Sequence, residues 1–294
     1  MIRRLAVLGV GLIGGSVALA LKQAGAVRQV IGYGRDRANL DAARSLGIVD
    51  EIADSPEQAV AGADGVLLAM PVGAMAETFV RIAPHLAADA LLTDAGSTKQ
   101  DVIAAARRGL GEQVGRFVPG HPIAGAEKSG ALAARADLYA GRNVILTPLP
   151  ENAAATVAAV ADLWRACGAR LMEMTAAEHD RVFAAVSHLP HLAAFALVDE
   201  LASRPQAGLY FRLAGSGFRD FTRIAASSPE MWRDIALANR EALAAELDAY
   251  VSRLSRLRDA LMAGDGQTLF DTFIRASKAR GNWAPAGTHL ENDE

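Results

Sequence analysis

Over the first 175 residues, short uninterrupted apolar runs alternate with stretches of helical period. The runs are Leu5–Leu8, Gln29–Tyr33, Asp64–Met70, Ala90–Asp94, Arg116–Pro119, Asn143–Thr147 and Arg170–Met174. A run with little polar alternation is the pattern of a strand covered on both faces. Between them lie helix-type segments, among them an alanine-rich one ending near Gly25 and another from about Glu151 to Cys167. Strands separated by helices predict an α/β fold with a doubly wound, mostly parallel Rossmann-type sheet. After about Thr175 the strand pattern stops. Ala176–Ser203 reads as one long helix perturbed at Pro190, because proline removes a helical donor. Glycines 208, 215 and 217 break the next section, and Pro229–Ala263 reads as one long helix. Asp265–Arg280 is a last amphipathic helix, and Glu291–Glu294 a frayed tail. Two domains are expected: residues 1–175, α/β, and residues 176–294, all helical.

Within the last long helix, Leu243, Leu247, Tyr250, Leu254, Leu257 and Leu261 are spaced alternately four and three apart. That spacing is a heptad seam. It serves either packing within one subunit or pairing between two.

Composition narrows the class. Hydrophobic residues make up 51% and charged residues 21%, enough for a large core and too apolar for a disordered chain. A net charge of −3 carries no footprint for nucleic acid or an anionic membrane. The one cysteine, Cys167, excludes an intrachain disulfide and a thiolate metal cluster, and its alanine-rich surroundings suit a small buried hydrophobe. The amino terminus imitates a signal peptide, but patterned glycines and the βα alternation that follows argue against one. No later apolar run is expected to span a membrane, so the expected location is cytoplasmic.

The glycines of the first turn carry chemistry. Gly9-Val10-Gly11-Leu12-Ile13-Gly14 is GxGxxG between a strand and a helix, the context that dinucleotide binding requires. The helix amino terminus offers free amides and a positive dipole end to the pyrophosphate. At the end of the second strand, where an acid normally holds the ribose hydroxyls, stands Gly34, followed by Arg35 and Asp36. A missing carboxylate with an arginine beside it favours a 2′-phosphate and hence NADP. With Asp36 serving the ribose two residues along, NAD is the alternative. Met70 and Pro71, at the exit of another strand, join the cofactor-binding set.

His121 lies in GHPIAGAEKSG (Gly120–Gly130), where Pro122 denies it helical geometry. A histidine in an extended segment at a strand's exit sits where open sheets place ligand chemistry, although a turn histidine bonded to backbone has the same pattern. His188 and His191, three apart on one helix, serve capping and packing equally well. Arg219 and Arg223 share a helix face and can pair with Glu127 or Asp220. His85, His179 and His289 read as surface histidines. No histidine pair has a convincing third ligand, so no metal is expected.

Five stretches occur in order: GVGLIGGS (Gly9–Ser16), DAGSTK (Asp94–Lys99), GHPIAGAEKSG, SHLPHLAAFAL (Ser187–Leu197) and GFRDFTRIAASSPEMW (Gly217–Trp232). Together they resemble the prephenate/arogenate, or cyclohexadienyl, dehydrogenases of tyrosine biosynthesis, over nearly the whole chain. The resemblance implies oxidative decarboxylation with hydride transfer to NADP or NAD, and a helical domain that makes a homodimer. It implies that His121 takes the proton of the substrate's ring hydroxyl. It implies that Ser97 hydrogen-bonds His121 and sits near the nicotinamide. Glu127 would join an active-site polar network, and Ser187, His191 and Asp220 would face substrate. Arg223 would bind a carboxylate and Trp232 would line the pocket. Ala126 stands where some relatives carry a polar residue that influences the choice between prephenate and arogenate. Two other readings fit parts of the pattern: a β-hydroxyacid or imine-type dehydrogenase of similar build, and a non-catalytic nucleotide-sensing dimer.

Overall fold

The amino-terminal run builds the centre of a sheet because both of its faces are covered. In a computed structural model, which describes residues 1–125 and 128–283, Leu5, Ala6, Val7 and Leu8 are all fully buried. Successive strand side chains point to opposite faces. Leu5 and Val7 accordingly join one core with Val17, Leu21 and Trp164. Ala6 and Leu8 join a second with Phe79, Ile82 and Phe117.

The strand is β1 (Ile2–Leu8) of a six-stranded sheet with β2 (Val27–Tyr33), β3 (Glu51–Ile52), β4 (Gly65–Leu68), β5 (Leu91–Asp94) and β6 (Phe117–Val118). The order is β3-β2-β1-β4-β5-β6 and every pairing is parallel. The intervening helices are α1 (Leu12–Gln23), α2 (Arg37–Ser45), α3 (Pro56–Val60), α4 (Met75–Ile82) and α5 (Gln100–Leu110). Strand order reverses between β1 and β4, so the crevice at their carboxyl ends is the topological switch point of the sheet.

The later runs do not extend this sheet. β7 (Gly120–Pro122), β8 (Asn143–Leu146) and β9 (Arg170–Glu173) form a separate three-stranded sheet, β7–β8 antiparallel and β8–β9 parallel, with α6 (Ala154–Ala166) between the last two. The chain leaves β6 at Pro119, and the next N–H, of Gly120, is taken by the Asp94 carboxylate at 3.0 Å instead of by a strand.

Ala176–Ala202 is continuous helix: α7 (Ala176–Phe183), a π-type stretch over Ala184–His188, and α8 (Leu189–Ala202). The perturbation expected at Pro190 falls just before it, in the π-type stretch, because proline inside a continuous helix lacks a donor and its ring crowds the carbonyls of the preceding turn. The expectation that no later run reaches membrane length is corrected: by length and composition this helix is long and apolar enough. Short helices α9 (Ala207–Leu213) and α10 (Ser216–Thr222) follow.

The helix expected over 229–263 is two. α11 (Pro229–Ala238), capped by Ser228, ends at Asn239, and α12 (Arg240–Ala263) begins after it. The Asn239 side chain is buried and donates to the Asp180 carbonyl at 2.7 Å, an interior partner that an unbroken helix pattern does not reveal. α13 (Gly266–Asn282) is capped by Asp265, which accepts from the Thr268 N–H. Residues 1–239 and 240–294 form two compact units, and in the second α12 and α13 pack together. The tail 291–294 and His289 lie outside the described residues.

Candidate active site

The turn between β1 and α1 is shaped for close approach. Gly9 adopts φ +104°, and a Cβ there would lie 2.5 Å from the Ala69 carbonyl oxygen at the end of β4. A Cβ on Gly14 would collide with the Gly9 carbonyl, whereas one on Gly11 would meet open space. The first turn of α1, beginning Leu12-Ile13, has no side-chain cap, so its amides are available to an anion. These features fit the pyrophosphate of a dinucleotide. Asn39 braces the turn: its amide donates to the Val10 carbonyl at 2.7 Å and its oxygen accepts from Ala131 N at 2.7 Å. Met70 and Pro71, both partly buried, follow β4 directly on the same edge.

Beyond β2, Gly34 leaves the edge without an acid. Asp36 is occupied as the cap of α2, accepting from Asn39 N at 3.1 Å. Arg35 is largely exposed and meets the Glu230 carboxylate of α11 at 3.4 Å.

At the carboxyl end of β5 a buried polar cluster gathers around His121. Lys99 and Asp94 are both fully buried and paired, and together they hold both backbone groups of Gly120. His121 Nδ1 lies 2.8 Å from His179 Nε2, and His179 Nδ1 lies 2.8 Å from Asp180 Oδ1. Asp180 Oδ1 also accepts the Lys99 N–H at 2.8 Å, and Oδ2 the Gln100 N–H at 2.9 Å. Phe183 packs against both imidazoles, its ring centroid 4.7 Å from that of His121 and 4.5 Å from that of His179. Burial pushes the His121 imidazole well below its ordinary value, and the neighbouring His179, Lys99 and His188 push the same way, since a proton on His121 would be repelled by the Lys99 charge and by any proton the two imidazoles took up. Burial also lowers His179, against the hydrogen bond it donates to Asp180. Burial would raise Asp180, but the His179 and backbone hydrogen bonds outweigh it and hold the carboxyl below its usual range. Among the described residues nothing hydrogen-bonds His121 Nε2.

The π-type stretch turns the other two histidines of the helix into the same region, a common use of such bulges. His188 Nδ1 lies 3.1 Å from the Asn239 amide, and burial lowers its imidazole to about 4. The Ser97 backbone opposes that shift without forming a hydrogen bond of ordinary geometry with Nε2. His191 Nδ1 bonds the Ser187 carbonyl at 2.8 Å, and its ring stacks on Trp232 with centroids 3.6 Å apart. Burial lowers His191 too, and the Arg223 charge contributes. Trp232 Nε1 is buried without a partner among the described residues.

Two family models match the chain: "Prephenate dehydrogenase, nucleotide-binding domain" over residues 17–173 and "Prephenate dehydrogenase, dimerization domain" over residues 175–275. This chain belongs to the prephenate dehydrogenase family. The cyclohexadienyl dehydrogenase of Zymomonas mobilis is 38% identical over 95% of both chains. The prephenate dehydrogenase of Bacillus subtilis is 37% identical over 92% of this chain and 74% of its own. The crystal structure of Aquifex aeolicus prephenate dehydrogenase with hydroxyphenyl propionate and NAD+ superposes with a TM-score of 0.88 at 36% identity, covering 95% of this chain and 98% of that one. The structure of Synechocystis arogenate dehydrogenase gives 0.78 at 27% identity, over 96% and 100%.

As a prephenate dehydrogenase family member, the chain brings His121, His188, His191, Trp232 and the Ser97 backbone into one region, with Arg223 near His191. Ser187 contributes its carbonyl to His191. Asp220 is exposed on α10, while Ala126 and Glu127 lie outside the described residues. Ser97 does not hydrogen-bond His121; His179 takes Nδ1 instead. His179 is therefore no surface histidine, being fully buried. In the sequence it stands within Glu178-His179-Asp180-Arg181, a charged run that reads as a solvated face and names no partner. Lys99 and Asp94 lie within DAGSTK, and a fully buried lysine is too rare for that pattern to announce their pairing.

Proposed function

We propose that the chain catalyses oxidative decarboxylation of prephenate or arogenate, coupled to hydride transfer to a nicotinamide dinucleotide, with His121 as general base. The observation that carries this reading is a neutral histidine at the carboxyl edge of β5 with Nε2 unengaged among the described residues, in a chain of this family. A bound nicotinamide supplies the hydride acceptor. Arg223 binds a substrate carboxylate, a match suited to its planar fork of donors. Trp232 and His191 wall the ring, and Ser97, Ser187, Glu127 and Asp220 supply further polar contacts. His121 Nε2 takes the hydroxyl proton as the ring carbon loses hydride and becomes a ketone. Departure of carbon dioxide leaves its bonding pair in the ring, which becomes a phenolate, and His121 returns the proton to that oxygen.

NADP is the finer expectation for the cofactor, supported by Gly34 and the exposed Arg35. The dinucleotide is assigned to residues 1–175, and substrate binding and homodimer formation to residues 176–294, a division near the point where the two family models meet. The apolar helix Ala176–Ala202 carries His179, Asp180 and His188 of the polar cluster, which favours a wall of a soluble, cytoplasmic enzyme over a membrane span.

The test is turnover with prephenate and arogenate, each with NAD+ and NADP+, in the wild type and in His121→Asn. At least one pairing turns over in the wild type, and the variant loses about 10²–10⁴-fold in kcat with cofactor binding kept. No turnover in any pairing overturns the activity, and an active His121→Asn overturns the base.

A further inference from the structure

The side chains behind His121 decide which of its two ring nitrogens carries the proton. The Asp180 carboxylate accepts two backbone N–H groups, from Lys99 and Gln100, at the start of α5. A carboxylate so held can only accept from His179 Nδ1, 2.8 Å away, so Nδ1 bears the proton. Burial keeps His179 neutral, and its Nε2 is then a lone pair. His121 Nδ1, 2.8 Å from that lone pair, must donate. His121 is left with its own lone pair on Nε2, the nitrogen that no described residue engages. Phe183, in contact with both rings, fixes their planes.

We propose that His179 and Asp180 are positioning residues that lock His121 in the tautomer whose Nε2 accepts the hydroxyl proton. The inference rests on His121 being the base. When the substrate O–H breaks, its proton goes to His121 Nε2 and its electron pair stays on oxygen. The imidazolium then faces His179, whose Nδ1–H points at the Asp180 anion, so the new charge is met by a fixed opposite charge two rings away. Among the described residues, the other charged or titratable groups facing the two rings are Lys99, Asp94 and His188. The arrangement has the logic of a carboxylate orienting a catalytic imidazole, with a second imidazole inserted.

The experiment compares His179→Gln with His179→Leu, and adds Asp180→Asn. A glutamine oxygen can accept from His121 Nδ1–H and preserve the tautomer, whereas leucine cannot. His179→Leu should lose about 10²–10⁴-fold in kcat, the range for losing a general base, while His179→Gln stays within about tenfold of the wild type. Substrate KM and cofactor affinity should change little in either. Asp180→Asn keeps an amide oxygen for the Lys99 N–H and the His179 Nδ1–H but removes the negative charge, so kcat should fall while both tautomers are kept. Nitrogen-15 spectra of labelled histidine should place the His121 proton on Nδ1 in the wild type and in Asp180→Asn. Equal kcat in His179→Leu and the wild type, with His121→Asn inactive, overturns the relay and leaves the base standing. An active His121→Asn overturns the base itself. Wild-type spectra with the His121 proton on Nε2 also overturn the proposal. Should Asp180→Asn fail to fold, the wild-type spectra and the two variants at position 179 still decide.

Discussion

Lys99 Nζ donates to the Gly120 carbonyl at 2.7 Å, and the Asp94 carboxylate that pairs with Lys99 receives the Gly120 N–H at 3.0 Å. One buried ion pair thereby fixes both backbone groups of the residue preceding His121. Removing one member of a buried pair leaves the other charge without compensation, which costs about 3–5 kcal/mol. Lys99→Met should lose stability of that order in denaturant unfolding. Lys99→Met combined with Asp94→Asn should recover part of it, because no buried charge then remains. A single variant as stable as the wild type would remove the pair from the folding account.

Much of this was legible in the sequence, for physical reasons that differ by element. β1, β2, β4 and β5 are buried on both faces, so their runs are unbroken and easy to read. β3 and β7 are two and three residues long, too short for any period to register. The split into two sheets depends on a side chain, Asp94, capturing the Gly120 N–H, and no apolar pattern records that. Among site residues, GxGxxG and His121 announce themselves by glycine and proline neighbours. His179, Asp180 and Asn239 do not, because their role lies in contacts such as His121 to His179, 58 positions apart in sequence.

Glu230 of α11 reaches Arg35 at 3.4 Å, with both side chains largely exposed. An exposed pair contributes little by itself, so a 2′-phosphate should displace the glutamate readily. Arg35→Ala should weaken NADP binding by about 1.5–3 kcal/mol, the worth of a charge-assisted contact, and NAD binding much less. Titration of both cofactors against both proteins measures this. Equal losses for the two would remove Arg35 from the phosphate site.

The seam on α12 is only partly covered within one chain: Leu254 is 47% exposed and Leu261 65%. Apolar side chains at heptad spacing with this exposure suit a second copy, as the family's dimerization domain model also suggests. Leu254→Lys with Leu261→Lys should therefore leave the fold intact and shift the protein to monomer in sedimentation velocity. A wild type that is monomeric at micromolar concentration would defeat the idea.

His188 sets the direction of pH dependence in stability. Its ordinary value of 6.5 applies to the unfolded chain, and burial lowers it to about 4 in the fold. Between those values the unfolded state binds a proton that the folded state refuses, so acid favours unfolding. Stability is fully present above pH 6.5 and is lost as pH falls toward 4. The difference amounts to about 3 kcal/mol once both forms are protonated. His121 and His179 are shifted the same way, so they add to the loss. His188→Asn keeps an acceptor for the Asn239 amide but cannot be protonated in this range. Urea unfolding from pH 7.5 to 4 should therefore show a shallower decline for the variant than for the wild type. Carboxylates titrate in both proteins and cancel in the comparison. Superimposable curves would mean that His188 binds its proton equally well folded and unfolded, and that its burial carries no penalty for charge.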